Sequence, residues 1–391
     1  MKLRTKKLID KYLGYFLLRS ITPISLLLGK ILNREHEIKN VKKSITVIKV
    51  LGGGNLFAAL AALRELKKKY PNKKLILIGS DSTLNFANLM GVFDEIIIIK
   101  TDTFLNITLT SIIALKKIFF TDAIIDLEVH SKLTSLFSLL SMAKNRIGFY
   151  SNHHPWQKGV LTHKINFDES HLLSQYYEEA VRFFGIKQFN YQEIYPYLMK
   201  KNNFTPHKKK SSLEALTIGP YCSELGTERE FSASEWVSIL TDIKQLKIKD
   251  IFIVGSKSDV EKSNNLKKEL NLWNPKINIK NYVGKLNLRE SVQIILKSDI
   301  FFTIDSGLNH IVRQLNMNIY SYWGPTNPST RLQNISALKE KIFYNRLKCS
   351  PCVHLTDFPP CKGNNICMKQ HITKISLDDA LSYSLKIRTK K

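Results

Sequence analysis

Between Ile45 and Ser80 the chain reads as strand, glycine turn, helix and strand in unbroken succession: ITVIKVL (45–51), GGGN (52–55), LFAALAALRELKKKY (56–70) and KLILIGS (74–80). An apolar run, a helical period and a second apolar run predict a βαβ unit, whose parallel strands are buried on both faces. EIIIIK (95–100) and AIIDLEV (123–129) continue the alternation. The second half repeats it with ALTIGP (215–220), a helix expected around Trp236 to Leu246, DIFIVGS (250–256), and DIFFTIDSG (299–307) leading into NHIVRQL. At 391 residues the chain is too long for one ordinary core, since a domain takes roughly 150 residues.

The expected division is a basic amphipathic segment over 1–43, a Rossmann-like domain over 44–200, a linker over 201–212 (KNNFTPHKKKSS) and a second Rossmann-like domain over 213–391. Two doubly wound α/β domains joined in this way are expected to face each other across a cleft at the carboxyl ends of their sheets, where such folds bind ligands.

A formal net charge of +26 makes the surface a collector of anions. No zinc finger, RNP strand or basic groove interleaved with aromatics is present, so nucleic acid is not an expected partner. In the first segment Lys2, Arg4, Lys6, Lys7 and Lys11 precede apolar runs from Tyr12 to Leu18 and from Ile24 to Leu32. Arg19 and Pro23 interrupt them, and neither run reaches the roughly 20 residues a bilayer requires. No small-residue cleavage site follows. The segment suits a helix lying on an anionic membrane surface, which would make the protein cytoplasmic and peripheral on the inner face of the cytoplasmic membrane. The alternative is a helix packed on the domain.

Gly52, Gly53 and Gly54, followed by Asn55, lie between the first strand and its helix, where glycine lets the backbone approach a ligand and a helix N-terminus offers free N–H groups. A tight turn without a ligand uses the same residues. The segment is not GxGxxG and no Walker lysine follows, which argues against a dehydrogenase or a P-loop ATPase. In the second half Asp305, Ser306, Gly307 and His310 bring a carboxylate, a hydroxyl and backbone N–H groups to a helix N-terminus, an arrangement suited to a diphosphate beside a sugar. An N-cap with a surface histidine is the plainer alternative.

IDSGLNH followed by YWGPTNP resembles the donor-site signature of the glycosyltransferase family that contains the ADP-heptose:lipopolysaccharide heptosyltransferases, D-[TS]-G-x-x-H then FGPT-x-P. The likeness continues in family order through IKVLGGGNLFAALAALRELKKKYP, AIIDLEVHSKLTSLFSLLSMAKNRIGF, ESHLLSQYYEEAVRFFGI, TEREFSASEW, VGKLNLRESV and CSPC with the two cysteines beyond it. It implies a GT-B fold and inverting, metal-independent transfer from a nucleotide diphosphate sugar, ADP-heptose-like, to a glycolipid acceptor. The donor would lie on the C-terminal domain and the acceptor on the N-terminal one.

Carried over by position, Asp305, Ser306, Gly307 and His310 would hold the diphosphate and donor sugar. Arg229, ahead of Phe231, takes the place of a phosphate-binding cation, where a guanidinium can grip two oxygens. Lys285 would help to stabilise the leaving diphosphate, and Thr326 and Asn327 would border the nucleotide. Where many members carry an aspartate as catalytic base, this chain has Asn55, and an amide takes no proton. Asp126, Glu128 and His130 could form one polar row at the end of a strand. Members with a GGG turn carry D-L-E there, so Glu128 is the expected base. The other reading makes Glu128 a salt-bridge partner of Arg146 or a nearby lysine. A catalytically silent or differently specific GT-B sugar-nucleotide binding protein is the alternative function. No cofactor is expected for catalysis. Cys349, Cys352, Cys361 and Cys367 form a candidate structural zinc site, and Cys222 reads as a small buried residue.

Overall fold

The computed structural model describes residues 3–32, 35–151, 155–157, 159–168, 170–206, 213–222, 226–241, 248–335, 338–353 and 359–372. The chain divides into two compact units, Met1–Ile194 and Tyr195–Lys391.

The first unit holds six strands: β1 (Ser44–Ile48), β2 (Lys74–Gly79), β3 (Glu95–Ile98), β4 (Ala123–Asp126), β5 (Asn145–Tyr150) and β6 (His163–Asn166). They pair in parallel in the order β3-β2-β1-β4-β5-β6. Helices α1 (Leu3–Ile9), α2 (Tyr15–Ile31), α3 (Gly53–Ala58), α4 (Leu60–Lys69), α5 (Asp81–Met90), α6 (Phe104–Ile118), α7 (Lys132–Leu140) and α8 (Leu173–Arg182) belong to it. Helix α9 (Ile194–Lys201) begins at the boundary. The second unit holds β7 (Ala215–Gly219), β8 (Asp250–Ile253), β9 (Asn278–Asn281), β10 (Ile300–Ile304), β11 (Asn318–Trp323) and β12 (Lys339–Tyr344), parallel in the order β12-β11-β10-β7-β8-β9. Its helices are α10 (Ala233–Thr241), α11 (Val260–Trp273), α12 (Leu288–Lys297), α13 (Gly307–Arg313) and α14 (Ile366–Lys369). Each sheet therefore follows the doubly wound strand order 3-2-1-4-5-6, in which the chain direction of winding reverses beside its first strand.

The expected βαβ alternation is present in both halves. Isoleucines of the central strands (Ile48, Ile76, Ile78, Ile124) pack with Ala114, Ile118 and Phe137 in the first unit. In the second, Leu216, Ile218, Ile251, Ile253 and Phe302 pack with an aromatic group in which Phe231 and Tyr322 each meet Trp236 edge-on. The unit boundary falls after the first residue of α9, ahead of the expected linker at 201–212. Arg289 donates to the Asn202 carbonyl at 2.8 Å, and Gln293 bonds the Thr205 backbone, so the start of that stretch is held to α12. Residues 207–212 lie outside the described residues, as do 242–247 at the end of the helix expected around Trp236, and the last part of the tail, 373–391.

The same latch closes the centre of each sheet. In the first unit one oxygen of Asp122 accepts from the backbone N–H groups of Lys42, Lys43 and Ser44, and Thr121 lies 3.3 Å from Thr46. In the second, one oxygen of Asp299 accepts from Glu214 and Ala215, and Thr217 donates to Ser298 at 2.9 Å. Thr46 pairs with Ile124 and Thr217 with Phe301, so each aspartate sits two residues before its threonine's partner.

Arg19 and Pro23 do not break the N-terminal segment. A π-helical turn (Asp10–Gly14) leads directly into α2, which passes through both residues. Proline removes one helical N–H and normally weakens a helix interior. Hydroxyls of Ser20 and Thr22 bond back to the Phe16 and Leu18 carbonyls at 3.0 and 2.6 Å, a contact that bends a helix without ending it. The continuous helix Asp10–Ile31 has 22 residues, and 18 consecutive residues of it reach a mean hydropathy of 1.3, enough by length and composition to cross a membrane. Its position shows another use. Asp10 caps α7 through Ser131 Oγ (2.7 Å) and the N–H groups of Lys132 and Leu133. Leu18 packs among Leu136, Leu139 and Val160, and Thr22 and Leu26 lie beside Gly159. One face of the helix is thus seated on the first unit along its length.

Candidate functional site

In the second unit, strand β10 delivers Asp305 to the carboxyl edge of the sheet, directly before α13. Its carboxylate gathers side chains from two separate loops and from α13 itself. Asp305 Oδ2 accepts from Arg229 Nη1 at 2.9 Å and from Thr326 Oγ1 at 2.7 Å, while Oδ1 lies 3.7 Å from His310 Nε2. Burial opposes ionisation of Asp305, but the Arg229 guanidinium, with His310 and Thr326, outweighs it and holds the carboxyl well below the usual range. Burial likewise disfavours the Arg229 cation, and the charge of Asp305 more than restores it.

Arg229 is aimed by a short 3-10 turn (Thr227–Arg229), and its Nε donates to the Gly226 carbonyl at 3.0 Å. A Cβ on Gly226 would stand 2.9 Å from the guanidinium, so only glycine leaves Arg229 in place. Asn365, near the tail, donates to the Glu228 and Glu230 carbonyls and buttresses the same loop. Gly226 belongs to none of the motifs read from the sequence, and Asn365 carries no signal for this role because its contacts join residues more than a hundred positions apart.

Ser306 caps α13, its Oγ accepting from the Asn309 N–H at 3.4 Å, so the plainer reading of this serine as an N-cap holds structurally. The first N–H groups of α13, at Gly307 and Leu308, have no intrahelical acceptor by helix geometry. Asn309 is fully buried, and its amide has no hydrogen-bond partner among the described residues. His310 is buried, not a surface histidine.

The structure thus brings Arg229, Asp305, Ser306, Gly307, His310 and Thr326 together at one sheet edge. Lys285 follows edge strand β9, and its ammonium turns back to the Asn281 carbonyl at 3.0 Å. Asn327 caps the turn after β11 by accepting from Ser329. Cys222 donates to the Gly226 carbonyl, and burial pushes its thiol up to about 12, in keeping with a small residue beneath the Arg229 loop.

In the first unit, Gly52 adopts φ +76° at the start of α3, a left-handed conformation that glycine takes without strain. A Cβ on Gly53 would come within 2.1 Å of the Phe86 ring. Local packing therefore requires both glycines, and Gly54 is buried beside them. Asn55 is half-buried one turn inside α3, with its amide against Gly52.

Glu128 lies against this turn. Its Oε1 accepts from the N–H groups of Val50 and Leu51 at 2.8 and 2.7 Å, and Oε2 meets Lys49 Nζ at 3.0 Å. Ser80 and Ser82 hold the other side of the same peptide through the Val50 carbonyl. The salt-bridge partner is Lys49, while Arg146 donates to the Val160 and Ala143 carbonyls. Burial would lower the Lys49 ammonium, but Glu128 reverses the balance and raises it.

Strand β4 ends at Asp126, so Glu128 and His130 both lie beyond it and strand alternation does not set them in the expected row of three. Asp126 Oδ1 accepts from the Glu128 N–H at 3.0 Å, whereas His130 is exposed and edge-on to Phe167. Burial, with the Glu128 charge adding to it, pushes Asp126 up to about 7.

None of the four late cysteines is paired in a disulfide. Burial raises the Cys367 thiol to about 12. Among the described residues no three His, Cys, Asp or Glu side chains converge on a point that could hold a metal ion. The charges of Cys349, Cys352 and Cys361 add to the rise of the Cys367 thiol, so the four sulfurs expected as a structural zinc site are neighbours.

The model of glycosyltransferase family 9 (heptosyltransferase) matches residues 115–362. The chain is 26% identical over 321 residues to lipooligosaccharide heptosyltransferase 2 of Campylobacter jejuni, covering 81% of this chain and 91% of that protein. Among solved structures, E. coli ADP-heptose lps heptosyltransferase II is similar with a TM-score of 0.60 at 16% identity, over 88% of this chain and 100% of that one. E. coli heptosyltransferase WaaC with ADP gives 0.58 at 12% identity, over 77% and 92%. These structures share with the chain the fold of two Rossmann-like units.

Proposed function

The chain belongs to glycosyltransferase family 9, the heptosyltransferases, and on that premise we propose that it moves a heptose from an ADP-heptose-like donor to a lipopolysaccharide-type core glycolipid. The names of its relatives, a lipooligosaccharide heptosyltransferase and an E. coli enzyme solved with ADP, support the substrate pair.

One observation carries the donor assignment: Asp305 holds Arg229, Thr326 and His310 together at the N-terminus of α13. A guanidinium and helix N–H groups at one point complement a diphosphate. Asp305 itself is taken up by protein partners. Its role is to organise the donors, and Arg229, Gly307 and Ser306 meet the phosphates.

On the acceptor side Glu128 is the base. Lys49 and the Val50 and Leu51 N–H groups fix its carboxylate in place beside the glycine turn. Asp126 is more deeply buried and is the weaker candidate. Glu128 takes the acceptor hydroxyl proton as that oxygen bonds the anomeric carbon. The bond from that carbon to the diphosphate breaks with inversion, and ADP departs with the electron pair. Arg229 and the α13 N-terminus stabilise the charge that develops on it. The step needs no divalent metal, and Asn55 binds a sugar hydroxyl.

The test is to incubate purified protein with ADP-heptose and a heptose-acceptor core glycolipid in EDTA, and to follow ADP release and the mass of the glycolipid. A gain of one heptose supports the proposal. The silent-binder reading, which rests on Asn55, requires nucleotide-dependent stabilisation with no transfer.

A further inference from the structure

The first unit exposes large apolar side chains along two helices, α2 and α6. The outward side of α2 presents Phe16, 67% exposed, with Ile24, Leu27 and Ile31. Helix α6 turns Ile107, Ala114 and Ile118 toward the sheet, yet also leaves Leu105 at 64%, Ile113 at 56%, and Leu109 and Ile112 about half exposed. Phe119 and Phe120, stacked edge-on just beyond it, extend the surface. In the second unit, by contrast, the large exposed apolar side chains among the described residues are Val260, Leu272, Ile342 and Ile366, spread over three elements.

The two helices are linked through their neighbours. Lys6 of α1 donates to Thr101, just ahead of α6, at 2.9 Å. Helix α7 packs against both α2 and α6. Neither α2 nor α6 contains an acidic residue, and exposed Lys11, Arg19, Lys30, Lys100 and Lys116 border them. Apolar side chains rimmed by cations match a bilayer surface bearing anionic headgroups.

We propose that α2 and α6 together form a docking face for an anionic lipid bilayer, with α6 as a second inserting element beside the N-terminal helix. The seating of α2 on α7 places the helix on the membrane surface, since a spanning helix would have to abandon the Asp10 cap and the Leu18 packing. The inference does not depend on the sugar-transfer reading: transfer to a lipid-free core saccharide would proceed without it.

The test uses the full chain and vesicles of phosphatidylcholine alone or mixed in equal parts with phosphatidylglycerol. The protein should sediment with the mixed vesicles, and L109E/I113E, at exposed positions, should weaken this about tenfold or more while keeping its circular dichroism spectrum and Tm. Tryptophan placed at Leu105 should be quenched by brominated lipid. Equal sedimentation of variant and parent, or an unquenched tryptophan, overturns the proposal. So does a change in oligomeric mass without a change in lipid binding, which would assign the face to a second copy.

Discussion

Arg229 Nη1 reaches Asp305 Oδ2 at 2.9 Å across 76 residues of sequence, and both side chains are at most one-tenth exposed. A buried pair of this kind is costly to break, because the survivor keeps its charge without a partner. Asp305→Asn should therefore destabilise the protein by about 3–5 kcal/mol, measured by urea unfolding. The same variant should lose stabilisation by ADP. Arg229→Met with Asp305→Leu should regain much of the stability and none of the ADP response, separating the structural role of the pair from its ligand role.

Replacement of Glu128 by Gln should lower the transfer rate about 10²–10⁴-fold while leaving the ADP-induced Tm shift intact. Full transfer rate in E128Q would remove Glu128 from the chemistry and leave it as the anchor of the Val50–Leu51 peptide.

Asp126 sets a pH dependence. Its folded pKa, about 7, lies above the ordinary carboxylate value, so between roughly pH 4 and pH 7 the folded state retains a proton that the unfolded chain has lost. Stability falls as pH rises through that window and levels off above it. Tm measured from pH 5 to pH 8 should decline less for Asp126→Asn than for the parent. Asp305 acts with the opposite sign: its depressed pKa contributes stability above the ordinary carboxylate range, and that contribution is lost as pH falls.

Gly53→Ala would favour a helix in isolation. The Phe86 ring, 2.1 Å from the added carbon, should reverse the sign and make the change destabilising by about 1–3 kcal/mol. Phe86→Ala in the same chain should abolish that penalty, with both variants followed by thermal unfolding.

The parallel strands were legible in the sequence because both faces are buried and each strand is a nearly continuous apolar run. The residues of the donor cluster were legible from their motif, but their mutual contacts were not, since Asp305 draws Arg229 and Thr326 from loops with no local pattern linking them. An ion pair of Glu128 with a nearby lysine was among the sequence readings, but not that the lysine is Lys49, which lies just past a strand that reads as apolar. Helix α6 was opaque for another cause. FLNITLTSIIALKKI is apolar on several sides, so periodicity does not reveal which side meets water. Pro23 misled because an exposed helix seated on a neighbour tolerates a missing N–H that an isolated one would not.

The paired latches of Asp122 and Asp299 also bear on how the chain is made. Each joins the first and fourth strands of a sheet drawn from a continuous stretch, 44–166 and 215–344. On the ribosome, all six strands of the first sheet emerge before the second sheet begins. Nothing in its hydrogen-bond ladder waits for later residues, so the amino-terminal half can complete its sheet while the carboxyl-terminal half is still being translated.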